Sequence, residues 1–320
     1  MSFSSIAKDE LARLPFAKPC CMLSELSALL QTSASLSLKG GGQVRLSFRI
    51  ENAGLARRVF LLIRTLFSIT PLLHFVRHSR LGGQRSSVLT MENQDAQKIL
   101  ISLGMMTVEE DGTPHLVRTT PRNAALRQCC RKAFLRGAFL GAGSITNPEK
   151  GYHFEIVTGE PALHDALIKL MEKSGIPVKQ MSRKGLMVIY LKESEQIVSA
   201  LGMMGANQAL LQLENTRVHK NVMNYVNRMM NCDASNMEKQ LDASQRQMEA
   251  IRMLSVTKGL GSLPPNLQQI ARLRLSQPEA SLQQLGEMMD PPLSKSGVNH
   301  RLRKIVDLFR ALDIHKEEEP

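Results

Sequence analysis

The stretch FLRGAFLGAGSI, residues 134–145, decides how the chain is read. It sets Gly137, Ala138, Gly141, Ala142 and Gly143 among bulky residues in a helical pattern. Glycine weakens a helix interior by about 1 kcal/mol relative to alanine. A helix carries so many small side chains when something must approach its backbone closely: a ligand, a nucleic acid or a second helix. The surrounding sequence chooses among these.

Cys129 and Cys130 lie just upstream, and the chain's other cysteine pair is Cys20-Cys21. CCMLSELSALLQTSASL (20–36) aligns over CCRKAFLRGAFLGAGSI (129–145) without a gap, at an offset of 109. Small residues recur in the first copy as Ser24, Ser27, Ala28, Thr32, Ser33 and Ala34. Far downstream, KILISLGMM (98–106) resembles QIVSALGMMGA (196–206). Between these ends the elements follow one order in both copies. A small-residue helix turns at Ser35 or Ser144 into an alternating strand, 43–50 or 152–157. An amphipathic helix follows (55–67 or 162–175), then a strand (84–91 or 185–192) and a short helix closing at LGMM. The fold class is α+β: two αββαβα units about a pseudo-twofold axis, with their small-residue helices meeting at its centre.

LRGAFLGAGSI (135–145) resembles the LAGLIDADG motif of homing endonucleases. The resemblance implies paired motif helices at a central interface and two sheets forming a saddle over duplex DNA. In that family an acid just before the closing glycine holds the metal ions that cleave DNA. Ala142 stands at that place here, and Ser33 in the first copy. Neither supplies the carboxylate oxygens that two-metal phosphodiester chemistry requires. No catalytic residue, metal or cofactor is therefore expected. Residues 1–130 carry 16 Lys and Arg against 9 Asp and Glu, with Arg45, Arg49, Arg57, Arg58, Arg64, Arg77, Arg80 and Arg85 among them. These arginines read equally well as phosphate contacts on the saddle or as a solvated basic face.

Composition bounds the rest. A 320-residue chain with 43% hydrophobic and 22% charged residues has room for about two domains. Its formal net charge of +12 favours a polyanionic partner. With no Trp, three Tyr and ten Phe it is poor in the rings on which a single-strand binder stacks bases. Five cysteines in two adjacent pairs and a singleton suit neither a disulfide framework nor C-x-x-C zinc spacing. They read as buried free thiols in a reducing cytoplasm. No apolar run reaches membrane-spanning length, and Asp9 and Glu10 stand where a signal peptide needs positive charge.

Residues 215–254 are rich in Asn, Met and Gln and read as one or two linker helices, ended by KGLGSLPP (258–265). Three helices follow at 264–277, 279–289 and 295–313. The second is expected to bury Leu282, Leu285 and Met288 or Met289. In the third, Val298, Leu302, Ile305, Phe309 and Leu312 form an apolar stripe with Ser294 as N-cap. This is the pattern of a helix-turn-helix, or of a three-helix bundle with a basic face. In the former, the last helix lays its N-terminal polar side in the major groove. Lys295, Asn299 and Arg303 share one stripe and suit base edges: Lys or Arg to guanine, Asn to adenine. Ser294, Ser296 and His300 sit beside them, and Arg301, Lys304 and Arg310 suit phosphates. His300 fits a base, a phosphate or plain solvent.

A degenerate LAGLIDADG pair joined to a C-terminal helix-turn-helix resembles the WhiA family of bacterial regulators over nearly the whole chain. The most specific stretches are SLQQLGEMM…LSKSGVNHRLRKI (281–305), NRMMNCDASN (227–236) and RKAFLRGAFLGAGSI (131–145). The resemblance implies a C-terminal module similar to sigma-factor region 4. It also implies a DNA-binding role in transcription, sporulation, or cell division and chromosome segregation. The expected organisation is a first repeat (1–125), a second repeat (126–214), a helical linker (215–259), a helix-turn-helix domain (260–315) and an acidic tail (316–320). The expected partners are double-stranded DNA and other regulators or transcription machinery, with no membrane and no small-molecule substrate, in the cytoplasm at the nucleoid. Two other readings stay open: a nucleoid-associated structural protein with weak sequence preference, and an active endonuclease, which Ala142 and Ser33 oppose.

Overall fold

The computed structural model describes residues 2–16, 18–39, 43–77, 85–109, 114–117 and 127–317, which divide into two compact units near residue 220. Arg80, the boundary near 125 and the end of the acidic tail fall outside the described residues, as do the side chains of Arg77 and Leu312.

The first unit opens with α1 (Phe3–Arg13), which buries Phe3, Ala7 and Leu11 at steps of four and is capped by Ser2, whose side chain accepts the Ser5 N–H at 3.1 Å. The first repeat is α2 (Pro19–Ser33), β1 (Ala34–Lys39), β2 (Gln43–Ile50), α3 (Ala53–Phe67), β3 (Leu72–Arg77), β4 (Arg85–Glu92) and α4 (Asn93–Ser102). A two-stranded sheet of β5 (Met106–Val108) and β6 (Pro114–Leu116) follows. The second repeat is α5 (Gln128–Ala142), β7 (Gly143–Ile145), β8 (Phe154–Thr158), α6 (Pro161–Glu172), β9 (Lys179–Arg183), β10 (Leu186–Leu191) and α7 (Ser194–Met204). The sheets have matching antiparallel orders, β1-β2-β4-β3 and β7-β8-β10-β9. Each repeat is thus αββαββα, one strand richer than the expected αββαβα unit and two richer than the strand stretches named in the sequence. No turn precedes the first strand. Ala34 and Gly143 are already extended where the helices end, and Ser35 and Ser144 lie within β1 and β7. The other unforeseen strand, β9, is exposed at every residue and so carries no alternation to read.

α2 and α5 span equivalent positions at the offset of 109, and they pack side by side. What approaches the glycines is the partner helix. A Cβ at Gly137 would strike the Glu25 carbonyl, and one at Gly141 would strike Thr32. Gly143 has a separate reason: it opens β7, where a Cβ would meet the Phe139 ring. Below this pair lies a continuous core that includes Leu26, Leu29, Phe48, Phe134, Phe139 and Phe154, with the last two stacked at 5.3 Å. Gly137→Ala sets two effects against each other. Helix propensity gains about 1 kcal/mol, while overpacking costs about 1–3 kcal/mol. Net destabilisation is expected, with the urea midpoint below wild type. The control Gly151→Ala, with nothing within 4 Å of the new Cβ, should stay near it. A raised midpoint for Gly137→Ala would refute the close approach of the helices.

The two LGMM stretches adopt different structures. Gly104 takes φ +68° after α4, and Met106 begins β5. Gly202 stays helical, and Gly205, at φ +94°, ends α7 instead.

In the chain, α8 (Asn207–Thr257) comes next. Its first N–H groups, from Gln208 and Ala209, donate to the Glu10 carboxylate at 2.7 and 3.0 Å. In the second unit the last turns of α8 bury Ile251 and Leu254. They pack with a 3-10 turn (Leu260–Ser262), α9 (Pro265–Ser276), α10 (Leu282–Glu287) and α11 (Lys295–Glu317). Leu285, Met289, Val298, Leu302 and Ile305 are buried together, Leu282 and Phe309 are partly buried, and Met288 is exposed. Among the described residues no helix is long and apolar enough to cross a membrane.

Candidate nucleic-acid interface

The supporting helix α10 has only six residues, so its ends need fixing. Ser281 and Gln284 form a capping box: the Ser281 side chain accepts the Gln284 N–H at 3.3 Å, and the Ser281 N–H donates to the Gln284 side chain at 2.9 Å. The turn after α10 folds back on it. The Leu293 N–H donates to the Gly286 carbonyl at 2.9 Å, and a Cβ at Gly286 would strike the Leu293 carbonyl. Ser294 then caps α11, its side chain accepting the Gly297 N–H at 3.3 Å and meeting the Ser296 hydroxyl at 3.0 Å.

With Val298 and Leu302 turned into the core, Lys295, Ser296, Asn299, His300, Arg303 and Lys304 are left exposed on α11. Ser294, Lys295, Ser296 and Asn299 line a shallow depression with Leu282 from α10. Among the described residues, no ion pair or hydrogen bond occupies the side chains of Lys295, Asn299 or Arg303. Arg301 differs. It is half-buried and donates to the Asn266 carbonyl at 3.3 Å, so part of its guanidinium is committed to α9. Arg310 is exposed two turns beyond Arg303.

One supporting residue had no signal in the sequence. Arg274 is buried, donating to the Gln247 side chain at 3.1 Å and the Ala280 carbonyl at 2.7 Å; burial lowers its pKa from the ordinary arginine value. Ser244 donates to the Pro278 carbonyl at 2.7 Å. Together these bonds fix the segment entering α10 against α8 and α9. An arginine at 274 looks no different in the sequence from the exposed Arg272 nearby.

The arginine-rich saddle needs correction. Arg58 is buried and bonded to Glu25, so it cannot reach a phosphate. Arg57 and Arg64 are exposed on α3, the helix expected at 55–67. Arg45 is on the open sheet face but is paired with Glu92 at 2.5 Å. Across the strands Arg45 faces Ser37 and Glu92, and two residues on, Ser47 faces Ser35 and Thr90, both short and uncharged. In the second sheet the half-buried Glu155 accepts from Ser144 at 3.2 Å and lies 3.3 Å from His153 and 3.8 Å from Arg183. Arg49 and Arg85 remain exposed.

At the family's acid positions, Ser33 and Ala142 are the last residues of α2 and α5. The Ser33 hydroxyl donates to the Leu29 carbonyl at 2.7 Å. Among the described residues, one group of metal-ligating side chains gathers elsewhere: Cys20, Cys21, Cys129 and Cys130, all free thiols.

Three family models match the chain in tandem. They are the WhiA N-terminal LAGLIDADG-like domain over residues 19–106, the WhiA LAGLIDADG-like domain over 131–223 and the WhiA C-terminal HTH domain over 226–309. A relative from Thermoanaerobacter pseudethanolicus is 44% identical over 98% of both chains. The chain belongs to the WhiA family. A second WhiA relative, from Desulforamulus reducens, is 41% identical over 99% of this chain and 98% of its own. Both relatives bear the name probable cell division protein WhiA. The full-length DUF199/WhiA from Thermatoga maritima shares the fold, with a TM-score of 0.59 at 23% identity over 97% of this chain and 99% of that one. The HTH domain supports DNA binding.

Proposed function

We propose that this WhiA protein is a duplex DNA-binding regulator that does not cleave DNA and that reads sequence through the start of α11. The observation that carries this reading is the exposed stripe of Lys295, Asn299 and Arg303 on a capped helix, free of partners among the described residues. Each can reach a base edge without first giving up a bond inside the protein. Ser294, Ser296 and His300 flank the stripe as further contacts, and Lys304 and Arg310 serve the phosphates. Arg301 contributes what its bond to Asn266 leaves free. Ser33 and Ala142 cannot hold Mg²⁺, which supports the non-nuclease reading. The relatives' name supports a role in cell division, with transcription control, sporulation or chromosome segregation as the processes served, at the nucleoid and alongside other regulators or transcription machinery.

The test is fluorescence anisotropy on genomic duplex fragments across a salt series, with a parallel incubation in Mg²⁺. Tight binding to one fragment, by a factor of about 10³ or more over its scrambled copy, is the regulator's expected behaviour. Affinity that depends only on duplex length would favour the structural nucleoid protein. Mg²⁺-dependent cutting would refute the non-nuclease reading.

A further inference from the structure

Four thiols meet where the paired helices begin. Cys20 and Cys21 are the second and third residues of α2, and Cys129 and Cys130 hold the same places in α5. All four Sγ atoms lie within 4.8 Å of one another, with Cys129 and Cys130 at 4.0 Å. Cys21 and Cys130 are buried, Cys20 half-buried and Cys129 exposed. The two helix starts are joined directly, since Ser24 donates to the Cys130 carbonyl at 2.8 Å.

A tetrahedral ion with Zn–S bonds of about 2.3 Å sets its four sulfurs about 3.8 Å apart. The cluster reaches that spacing by drawing in about 1 Å at its widest, within side-chain rotation. A four-iron cluster carries each thiolate on a separate corner and needs a wider group. Two disulfides would need sulfur pairs at about 2.05 Å, and these thiols are free.

Without a cation the protein opposes full ionisation of the group. Burial, and next the neighbouring thiols, push Cys21 up to about 12 and Cys130 up to about 11, whereas the hydrogen bond to Cys21 draws Cys129 down. Four thiolates this close together repel one another, and a divalent cation offsets that repulsion. Two helix N-termini face the group with their partial positive charge. Lys18, Arg127, Arg131 and Lys132 flank it in sequence.

We propose that Cys20, Cys21, Cys129 and Cys130 form a four-thiolate site for one Zn²⁺, which clips the two repeats together at the start of their paired helices. The absence of C-x-x-C spacing does not weigh against it, because the ligands come as adjacent pairs from two equivalent helices. The site is independent of the DNA-reading helix, so the proposed function can stand or fall without it.

The test uses the full chain, purified under reducing conditions without chelator. Elemental analysis is expected to give one zinc per chain, lost in Cys20→Ser/Cys129→Ser and retained in Cys232→Ser. Co²⁺ titrated into the metal-depleted wild type should produce the visible bands of a tetrahedral thiolate complex and raise the melting temperature. Because these readings come from the wild type, the result does not depend on the double variant folding. A wild-type chain with well under one equivalent of zinc and no cobalt–thiolate bands would overturn the proposal. So would two disulfides found after alkylation of the untreated protein.

Discussion

Replacing Lys295, Asn299 and Arg303 together by alanine is expected to cut the affinity for the best genomic fragment by about a hundredfold or more and leave affinity for scrambled duplex nearly unchanged. Each bidentate bond pair between side chain and base contributes about 1–3 kcal/mol of discrimination, and every 1.4 kcal/mol is about tenfold. Losing even two of the three reaches the hundredfold range. All three residues are exposed and without partners among the described residues. The core of Leu285, Val298, Leu302 and Ile305 should therefore survive, and alanine is if anything a better helix former. An unchanged melting temperature is part of the prediction. Lys304→Ala with Arg310→Ala provides the contrast. Affinity should fall alike on all duplexes, and the slope of log affinity against log salt should flatten by about one for each phosphate no longer neutralised. If the triple variant keeps its preference for the best fragment, α11 does not read the sequence.

How much of this was legible in the sequence follows from the kind of signal each element carries. The paired helices were legible because Gly137 and Gly141 must be small for a reason that survives in the letters. The first strand of each repeat was not: Ser35 and Ser144 looked like turn residues, while the chain passes from helix to strand with no turn at all. β9 was invisible because no residue in KQMSR is buried. The apolar stripe of α11 was readable because its spacing is helical and its burial one-sided. Two of the arginines counted for the saddle, Arg45 and Arg58, escaped the sequence for a different reason. Charge can be counted along a sequence, but pairing happens across it. Arg58 meets Glu25 and Arg45 meets Glu92, 33 and 47 positions away. The cysteine cluster lies beyond local reading for the same reason, since its two halves are 109 residues apart and only the duplication brings them together.

Glu25→Ala is expected to cost the first unit about 3–5 kcal/mol, the range for removing one partner from a buried ion pair. The Glu25 carboxylate is buried on α2 and serves two arginines from different elements. Arg58 of α3 donates to it through Nε and, at 3.0 Å, through Nη2. Arg136 of α5 donates Nε at 2.9 Å. Both guanidiniums reach further, Arg58 to the Leu14 carbonyl at 2.6 Å and Arg136 to the Met204 carbonyl at 3.0 Å. One carboxylate thus ties together the end of α1, both central helices, α3 and the last turn of α7. Without it two cations remain in the core, bonded only to neutral carbonyls. Domains of this kind are stable by about 5–15 kcal/mol, so the loss consumes a large part of the margin and should lower the urea midpoint steeply. Glu25→Gln keeps the shape and one acceptor oxygen and should fall between wild type and alanine. The decisive variant removes all three charges at once. Glu25→Leu with Arg58→Met and Arg136→Met replaces the network with apolar volume, which elsewhere is often neutral or stabilising. Recovery of the midpoint in that triple variant, after its collapse in Glu25→Ala, would show that the cost lies in the stranded arginines. A Glu25→Ala stability within about 1 kcal/mol of wild type would mean that water reaches the arginines, and the network would then be no clamp between the repeats.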